Sequence, residues 1–224
     1  MKLLSFFGIT GLALTIALSG CNKDETDNLS RIKSYAAISL NGPTLTSINV
    51  GESFTDQGAS ATLAGVNNPV ITVGSVDNTT PGFNFITYRS ANAEGDTVEV
   101  NRVIAVVDPA VNDIDQSGNF VRNGNPVTIT RIGKGLYRTN NLGGVATTSV
   151  AYAGAYFAQI TPTALEFPDQ LVGGVNGNVS FTPAANNPWT FDSNGRLISY
   201  SYGITAEGVN YGPATTPRTF TRVP

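Results

Sequence analysis

A chain of 224 residues with no histidine and a single cysteine excludes much chemistry at once. Ser-His-Asp and Cys-His nucleophile systems would lack their base, and the commonest zinc and haem sites would lack their imidazole. Apolar residues make up 41% and charged residues 13%, which excludes a disordered chain, and the net charge of −3 divides into four basic residues against three acids over 1–33, nine acids against two basic residues over 34–117, and seven basic residues against four acids from 118 onward. Neither half carries the dense basic stripe of a nucleic-acid binder, so nucleic acid is not an expected partner and the asymmetry marks a domain boundary.

The first predicted element is a signal peptide over residues 1–20. Lys2 supplies a positive start, Leu3 to Leu18 is mostly apolar, and small residues lead into Cys21. The apolar run is shorter than the roughly 20 residues of a spanning helix. Leu18-Ser19-Gly20-Cys21 resembles the lipobox of bacterial lipoproteins. That resemblance implies cleavage before Cys21 and acylation of its thiol and new amine, and hence attachment to the membrane through lipid on Cys21. Stable anchoring takes more than one hydrophobic signal, which several acyl chains on one residue would supply. With Cys21 blocked, the mature chain would have no disulfide. Residues 21–33 then read as a solvated tether. The Asn22-Lys23-Asp24-Glu25-Thr26-Asp27 run is similar to the export signal of some outer-membrane lipoproteins, which implies an outer-membrane protein facing the exterior.

From 34 to 108 the chain reads as short strands broken by turns. Ile48 and Val50 alternate ahead of Gly51, Ile71 and Val73 precede Gly74, and Phe83 to Tyr88 follows Pro81-Gly82. Residues 97–107 are rich in β-branched side chains, and Asn92 to Asp96 reads as a hairpin connection. No long 3.6-residue periodicity marks a helix. The segment Gly51-Glu52-Ser53-Phe54-Thr55-Asp56-Gln57-Gly58-Ala59, with Val76 to Gly82, Ile86-Thr87-Tyr88, Ala91 to Gly95 and Arg102 to Val106 after it, resembles bacterial Ig-like domains of the hyalin-repeat type. The resemblance implies a seven-stranded sandwich used as a spacer or adhesive module, without catalytic residues. Asn84 departs from it, standing where the family carries an aromatic residue. Asp56, Asp77 and Asp96 match no compact calcium loop, so turn and cap roles are expected for them.

Residues 109–117 read as a linker, and 118–224 as a second antiparallel β domain, either barrel or sandwich. The whole chain is therefore expected to be all-β. Strand candidates are 117–122, 126–132, 136–138, 155–160, 164–167, 178–181, 197–202 and 219–223, with a turn at Asp192-Ser193-Asn194-Gly195. Ser117-Gly118-Asn119-Phe120, Val127-Thr128-Ile129-Thr130, Gly135-Leu136-Tyr137 and Arg218-Thr219-Phe220 resemble the C-terminal domain of two-domain surface lipoproteins associated with polysaccharide-utilisation systems.

No glycine-rich loop stands between a strand and a helix, so no cofactor is expected. Carboxylates at Glu166, Asp169, Asp192 and Glu207 allow a glycosidase-like pair in principle, but turn or strand-surface roles suit each of them better. Aromatic residues are the more promising feature, because a sugar's apolar face stacks on an aromatic ring while nearby amides bind its hydroxyls. Trp189 follows Asn186-Asn187-Pro188, Tyr152 and Tyr156 follow the Gly143-Gly144 loop, and Tyr211 lies among Gly and Pro residues. These four are the candidate ligand-binding residues. Tyr200 and Tyr202 share a strand face and are expected in the core. The sequence thus predicts a non-catalytic, lipid-anchored surface protein binding glycan or another extracellular ligand. The alternatives are an accessory subunit docking on an outer-membrane transport or binding protein, and a carboxylate-dependent hydrolase.

Overall fold

Strand formation in the first domain follows the alternation of β-branched and polar residues, and turns cut the strands short. The computed structural model describes residues 33–149, 153–173, 177–212 and 216–224. Cys21 and Tyr152 lie outside the described residues. Seven strands build the first domain: β1 Ala37–Leu40, β2 Leu45–Asn49, β3 Ala59–Leu63, β4 Val66–Asn68, β5 Ile71–Val73, β6 Gly82–Ala91 and β7 Thr97–Val107. They form two sheets, β1-β3-β4 and β2-β7-β6-β5, in which only β2 and β7 run parallel. Between the sheets lie Ile48, Ile86, Tyr88, Ile104 and Val106. This is the expected seven-stranded sandwich.

Asn84 faces the end of that core and does not loosen it. Its Oδ1 accepts a hydrogen bond from the Asp77 N–H at 2.9 Å, so the amide fastens the connecting loop that an aromatic ring would otherwise cover. Asp77 in turn accepts from the Thr79 N–H and hydroxyl, as a turn residue should. Asn92 and Asp96 close their hairpin through Asn92 Oδ1, which accepts from the Asp96 N–H at 2.8 Å. Asp56 departs from the expected turn or cap role. It pairs with Arg102 at 2.9 Å and accepts from the Tyr88 hydroxyl, inside the sandwich.

The second half is one curled sheet of eleven strands among the described residues. These are β8 Gly118–Arg122, β9 Asn125–Gly133, β10 Leu136–Thr139, β11 Ala155–Thr161, β12 Ala164–Glu166, β13 Gln170–Leu171, β14 Asn178–Pro183, β15 Trp189–Phe191, β16 Leu197–Ala206, β17 Val209–Tyr211 and β18 Arg218–Arg222. The order is β12-β11-β10-β9-β8-β18-β16-β14-β13, with β15 and β17 also on β16. The meander therefore runs through β8 to β12, and β18 closes the chain's end against β8. The outcome is a half-barrel rather than a two-sheet sandwich. Aromatic side chains fill it: Phe120, Tyr137, Phe157, Phe167, Tyr200, Tyr202 and Phe220 are buried on its inner face.

Residues 109–117 connect the two sheet systems, with Val111 and Gln116 buried and Pro109, Ala110, Asp113 and Asp115 exposed. A 3-10 turn at Pro109–Val111 is capped by Asp108 Oδ1, which accepts from the Ala110 N–H. Val111 is fully buried and joins Ala105, Val107, Leu136 and Ala158 in a separate apolar cluster, covered by Leu45, Phe83 and Ile160. The outer face of β7 thus packs on β10 and β11. Lys134 adds an ion pair to Glu52 at 2.9 Å across the same junction. Tyr35–Pro224 is accordingly one compact unit.

Candidate functional site

The half-barrel's inner face is set by period-2 alternation on its longest strand. Tyr200 and Tyr202 of β16 point the same way, with Phe220 of β18 opposite Tyr200 and Trp189 of β15 opposite Tyr200 on the other flank. The Tyr200 and Phe220 rings stack at 4.6 Å between centroids and 5° between planes. Both tyrosines are fully buried, and burial pushes their hydroxyls far above the usual phenol range. The Tyr202 hydroxyl donates to the Leu142 carbonyl at 2.7 Å. These two tyrosines are core, as expected from the sequence.

Trp189 sits on a short strand rather than in a loop. Its indole is half-buried and stacks on Phe167 at 6.0 Å and 25°. Phe167 also touches Phe157, Phe181 and Tyr202, with centroids between 4.6 and 5.2 Å away. A ring backed this way has few alternative positions, so its free face is presented in one orientation.

The other candidates do not gather around Trp189. Tyr156 lies on the opposite face of β11, where its ring packs against Phe83 of the first domain at 5.9 Å. Burial raises its hydroxyl pKa to about 12. Tyr156 is thus a junction residue. Tyr211 is on β17, pairs with Ile204 and is 46% exposed. Of the three described aromatic residues singled out in the sequence, Tyr211 is exposed, while Trp189 and Tyr156 are half-buried.

The acids are likewise apart in role. Glu166 faces the first domain, where the Phe83 N–H hydrogen-bonds it while burial raises its pKa. Asp192 accepts from the Asn194 and Arg196 N–H groups at 2.8 Å each, closing the predicted turn. Asp169 is exposed, and Glu207 is exposed with a positive φ of 51° at the β16–β17 turn. Among the described residues, no group of three or more His, Cys, Asp or Glu could hold a metal ion.

Sequence reasoning missed two arginines. Arg122 of β8 and Arg218 of β18 both donate to the Gly143 carbonyl, at 3.4 and 2.6 Å. They lie on the inner face because each stands two residues from a core aromatic, Phe120 and Phe220. The alternation around those aromatics was a usable signal, but their pairing joins distant parts of the chain.

The geometry defines an all-β protein that couples an Ig-like sandwich to an aromatic-filled half-barrel. Residues 38–106 match a family model described as bacterial surface protein, Ig-like domain. That stretch of the chain is thus similar to a bacterial surface Ig-like domain. Among solved structures it is similar to a lipoprotein from Bacteroides thetaiotaomicron, with 16% identity, a TM-score of 0.37, and coverage of 84% of this chain and 100% of that one. No curated protein matches the chain.

Proposed function

We propose that this is a lipid-anchored protein of the bacterial outer membrane that binds glycan at the cell exterior without catalysing a reaction. Cys21 carries the lipid, the tether after it clears the membrane surface, and the Ig-like domain carries the half-barrel outward. The observation that carries the binding reading is Trp189, a half-open indole held rigidly by Phe167 on the half-barrel's inner face. A preset aromatic face suits the apolar side of a sugar ring and loses little entropy on binding. Nutrient acquisition is the setting in which such a protein would serve.

The test is a panel of soluble polysaccharides measured against the purified protein by affinity electrophoresis and calorimetry. Binding that falls at least tenfold in Trp189→Ala supports the reading. Absence of binding across the panel, or an affinity indifferent to Trp189→Ala, sinks it.

A second reading is favoured by one specific feature. Ile71, Val73 and Phe85 are exposed on the outer face of neighbouring strands β5 and β6, with Ile71 65% accessible. Exposed apolar side chains grouped this way suit a protein contact. In that reading the protein is an accessory subunit of an outer-membrane transporter or binding protein. Co-purification in mild detergent that is lost in Ile71→Asp separates it from a free-standing glycan binder.

A further inference from the structure

The cations of the half-barrel have distinct roles, and two of them are left over. Lys134 pairs with Glu52. Arg131 donates to the Asn112 and Gly133 carbonyls. Arg222 donates to the Gln116, Ser117 and Leu197 carbonyls and lies over the Phe120 ring at 4.7 Å. Arg138 and Arg196 are exposed to solvent. Arg122 and Arg218 remain, half-buried at one end of the inner face. Each points an Nη1 nitrogen at the same Gly143 oxygen, and among the described residues neither has a carboxylate partner. Arg122 Nη1 also donates to the Gly144 carbonyl at 3.2 Å, and Arg218 Nε to the Tyr211 carbonyl at 3.3 Å. The Nη2 groups of both are without an acceptor among the described residues.

Two half-buried guanidinia this close repel, and neutral carbonyls offset that only partly. The desolvation and mutual repulsion are enough to pull the Arg218 pKa below its ordinary value. Other side chains also hold the loop that the arginines touch. Asn141 already does so, donating to the Pro126 and Val145 carbonyls at 3.1 and 2.8 Å and accepting from the Val145 N–H, while the Tyr202 hydroxyl secures Leu142. The site is also shaped for close approach. A Cβ at Gly144 would stand 2.6 Å from Arg122 Cδ, so only glycine lets the arginine lie where it does.

An anion with two or three oxygens answers this arrangement, because planar guanidinia donate in pairs to carboxylate or sulfate. Trp189 lies apart from this end, on the far flank of β16, where it pairs with Tyr200 while Arg218 pairs with Tyr202, and the fully buried Tyr200, Tyr202 and Phe220 fill the face between them. We infer that Arg122 and Arg218 form an oxyanion subsite that selects acidic glycan, its uronate carboxylate or sulfate ester held by the two guanidinia. The inference rests on the glycan-binding reading and narrows it to one class of polymer.

The test compares polygalacturonate, dextran sulfate and neutral dextran on the purified full chain, beside Arg122→Gln and Arg218→Gln. Thermal melts verify that each variant folds. Affinity for at least one of the two acidic polymers is expected. It should fall at least tenfold in either variant, and weaken when salt rises from about 0.05 to about 0.5 M as charge screening demands. Which acidic polymer binds tells carboxylate from sulfate recognition. Should a variant melt early, competition on the unaltered protein by galacturonate against galactose gives the same answer. Binding of dextran alone, or binding equal in the arginine variants, overturns the subsite and leaves the glycan reading standing. Failure of all three polymers overturns the subsite, while the wider panel with Trp189→Ala still decides the glycan reading.

Discussion

Gln170 satisfies both backbone polar groups of Tyr156. Its Oε1 accepts from the Tyr156 N–H and its Nε2 donates to the Tyr156 carbonyl, each at 2.8 Å. Tyr156 belongs to β11 near one edge of the curled sheet, and Gln170 opens β13 at the other. One amide side chain therefore does across the seam what a strand neighbour does elsewhere. Phe167, packed on Phe181 and Trp189, covers the gap with rings. The half-barrel is closed by side chains where backbone pairing stops.

That seam predicts the cost of Gln170→Leu. The substitution keeps the volume but leaves a buried N–H and C=O of Tyr156 unpaired, and each lost partner costs about 1–3 kcal/mol. We expect the urea midpoint to fall accordingly, with amide exchange at Tyr156 accelerating more than at Ile129 on the opposite wall. Equal acceleration at both positions would show that the seam is not the weak point.

Gly135 tests the domain junction. Its φ is +56°, and an added Cβ would meet the Gln159 carbonyl and Val111 Cγ2 at 2.9 Å, with Val107 Cγ1 at 3.2 Å. Val107 and Val111 belong to the apolar cluster that joins β7 to the half-barrel, Gln159 presents backbone, and none of the three contacts is the end of a long flexible side chain. Overpacking costs about 1–3 kcal/mol, and the left-handed backbone adds about 1 kcal/mol. Gly135→Ala should lower the melting temperature clearly, whereas Gly95→Ala, with open space around it, carries only the backbone penalty. Comparing the two melts isolates the packing contribution.

Much of this architecture was legible before the coordinates, and the exceptions share a cause. Alternation is readable where one face is buried and the other wet, which recovers β6, β9 and most of β16. The strands missed were β1, β3 and β4 in the first domain and β13, β15 and β17 in the second; none exceeds five residues, and the last three have two or three each, too short to show any period. That is why Trp189 and Tyr211 read as loop residues. The junction left a signal of a different kind. Val103 to Val107 is an unbroken apolar run, and Ala155 to Ile160 puts Tyr156, Ala158 and Ile160 on one side and Ala155 and Phe157 on the other. Strands apolar on both faces are covered on both faces, and this places Tyr156 against the first domain. For Arg122 and Arg218 alternation marks the face each lies on, but not that they meet, because register between β8 and β18 depends on how the whole sheet curls.

Arg102 anchors the sandwich interior by charge. It is 1% exposed, pairs with Asp56, and its Nη2 donates to the Asn41 and Gly58 carbonyls at 2.6 and 3.0 Å. Arg102→Met removes the ion pair and both carbonyl partners while retaining apolar bulk. Breaking one side of a buried pair costs about 3–5 kcal/mol, and the partial exposure of Asp56 places the expected loss at the lower end. Denaturant unfolding measures it. A change within error would mean that water replaces the guanidinium without loss.

Cys21→Ser tests the anchor independently of the fold. Without the thiol no diacylglyceryl group can be attached, so the protein should lose metabolic labelling by fatty acid and leave the membrane fraction. Its melting behaviour after purification should be unchanged. Membrane retention of the serine variant would point to attachment by protein contact instead, such as through Ile71, Val73 and Phe85.

Glu166 gives the junction a pH dependence whose sign follows from its position. Burial against the first domain raises its pKa, opposed by the hydrogen bond from the Phe83 N–H. A carboxyl whose folded pKa lies above its unfolded one binds its proton more tightly in the folded state. Its stabilising contribution is complete below the unfolded value and is lost as pH rises through the folded value. Glu166→Gln mimics the protonated acid and can still accept from Phe83. The two proteins should melt together near about pH 4, within the ordinary glutamate range, and the glutamine variant should gain as pH rises until the folded carboxyl is fully ionised. Melts from acid to neutral pH follow this directly. A glutamine variant less stable at neutral pH would show that the Phe83 hydrogen bond to the charged form outweighs its burial.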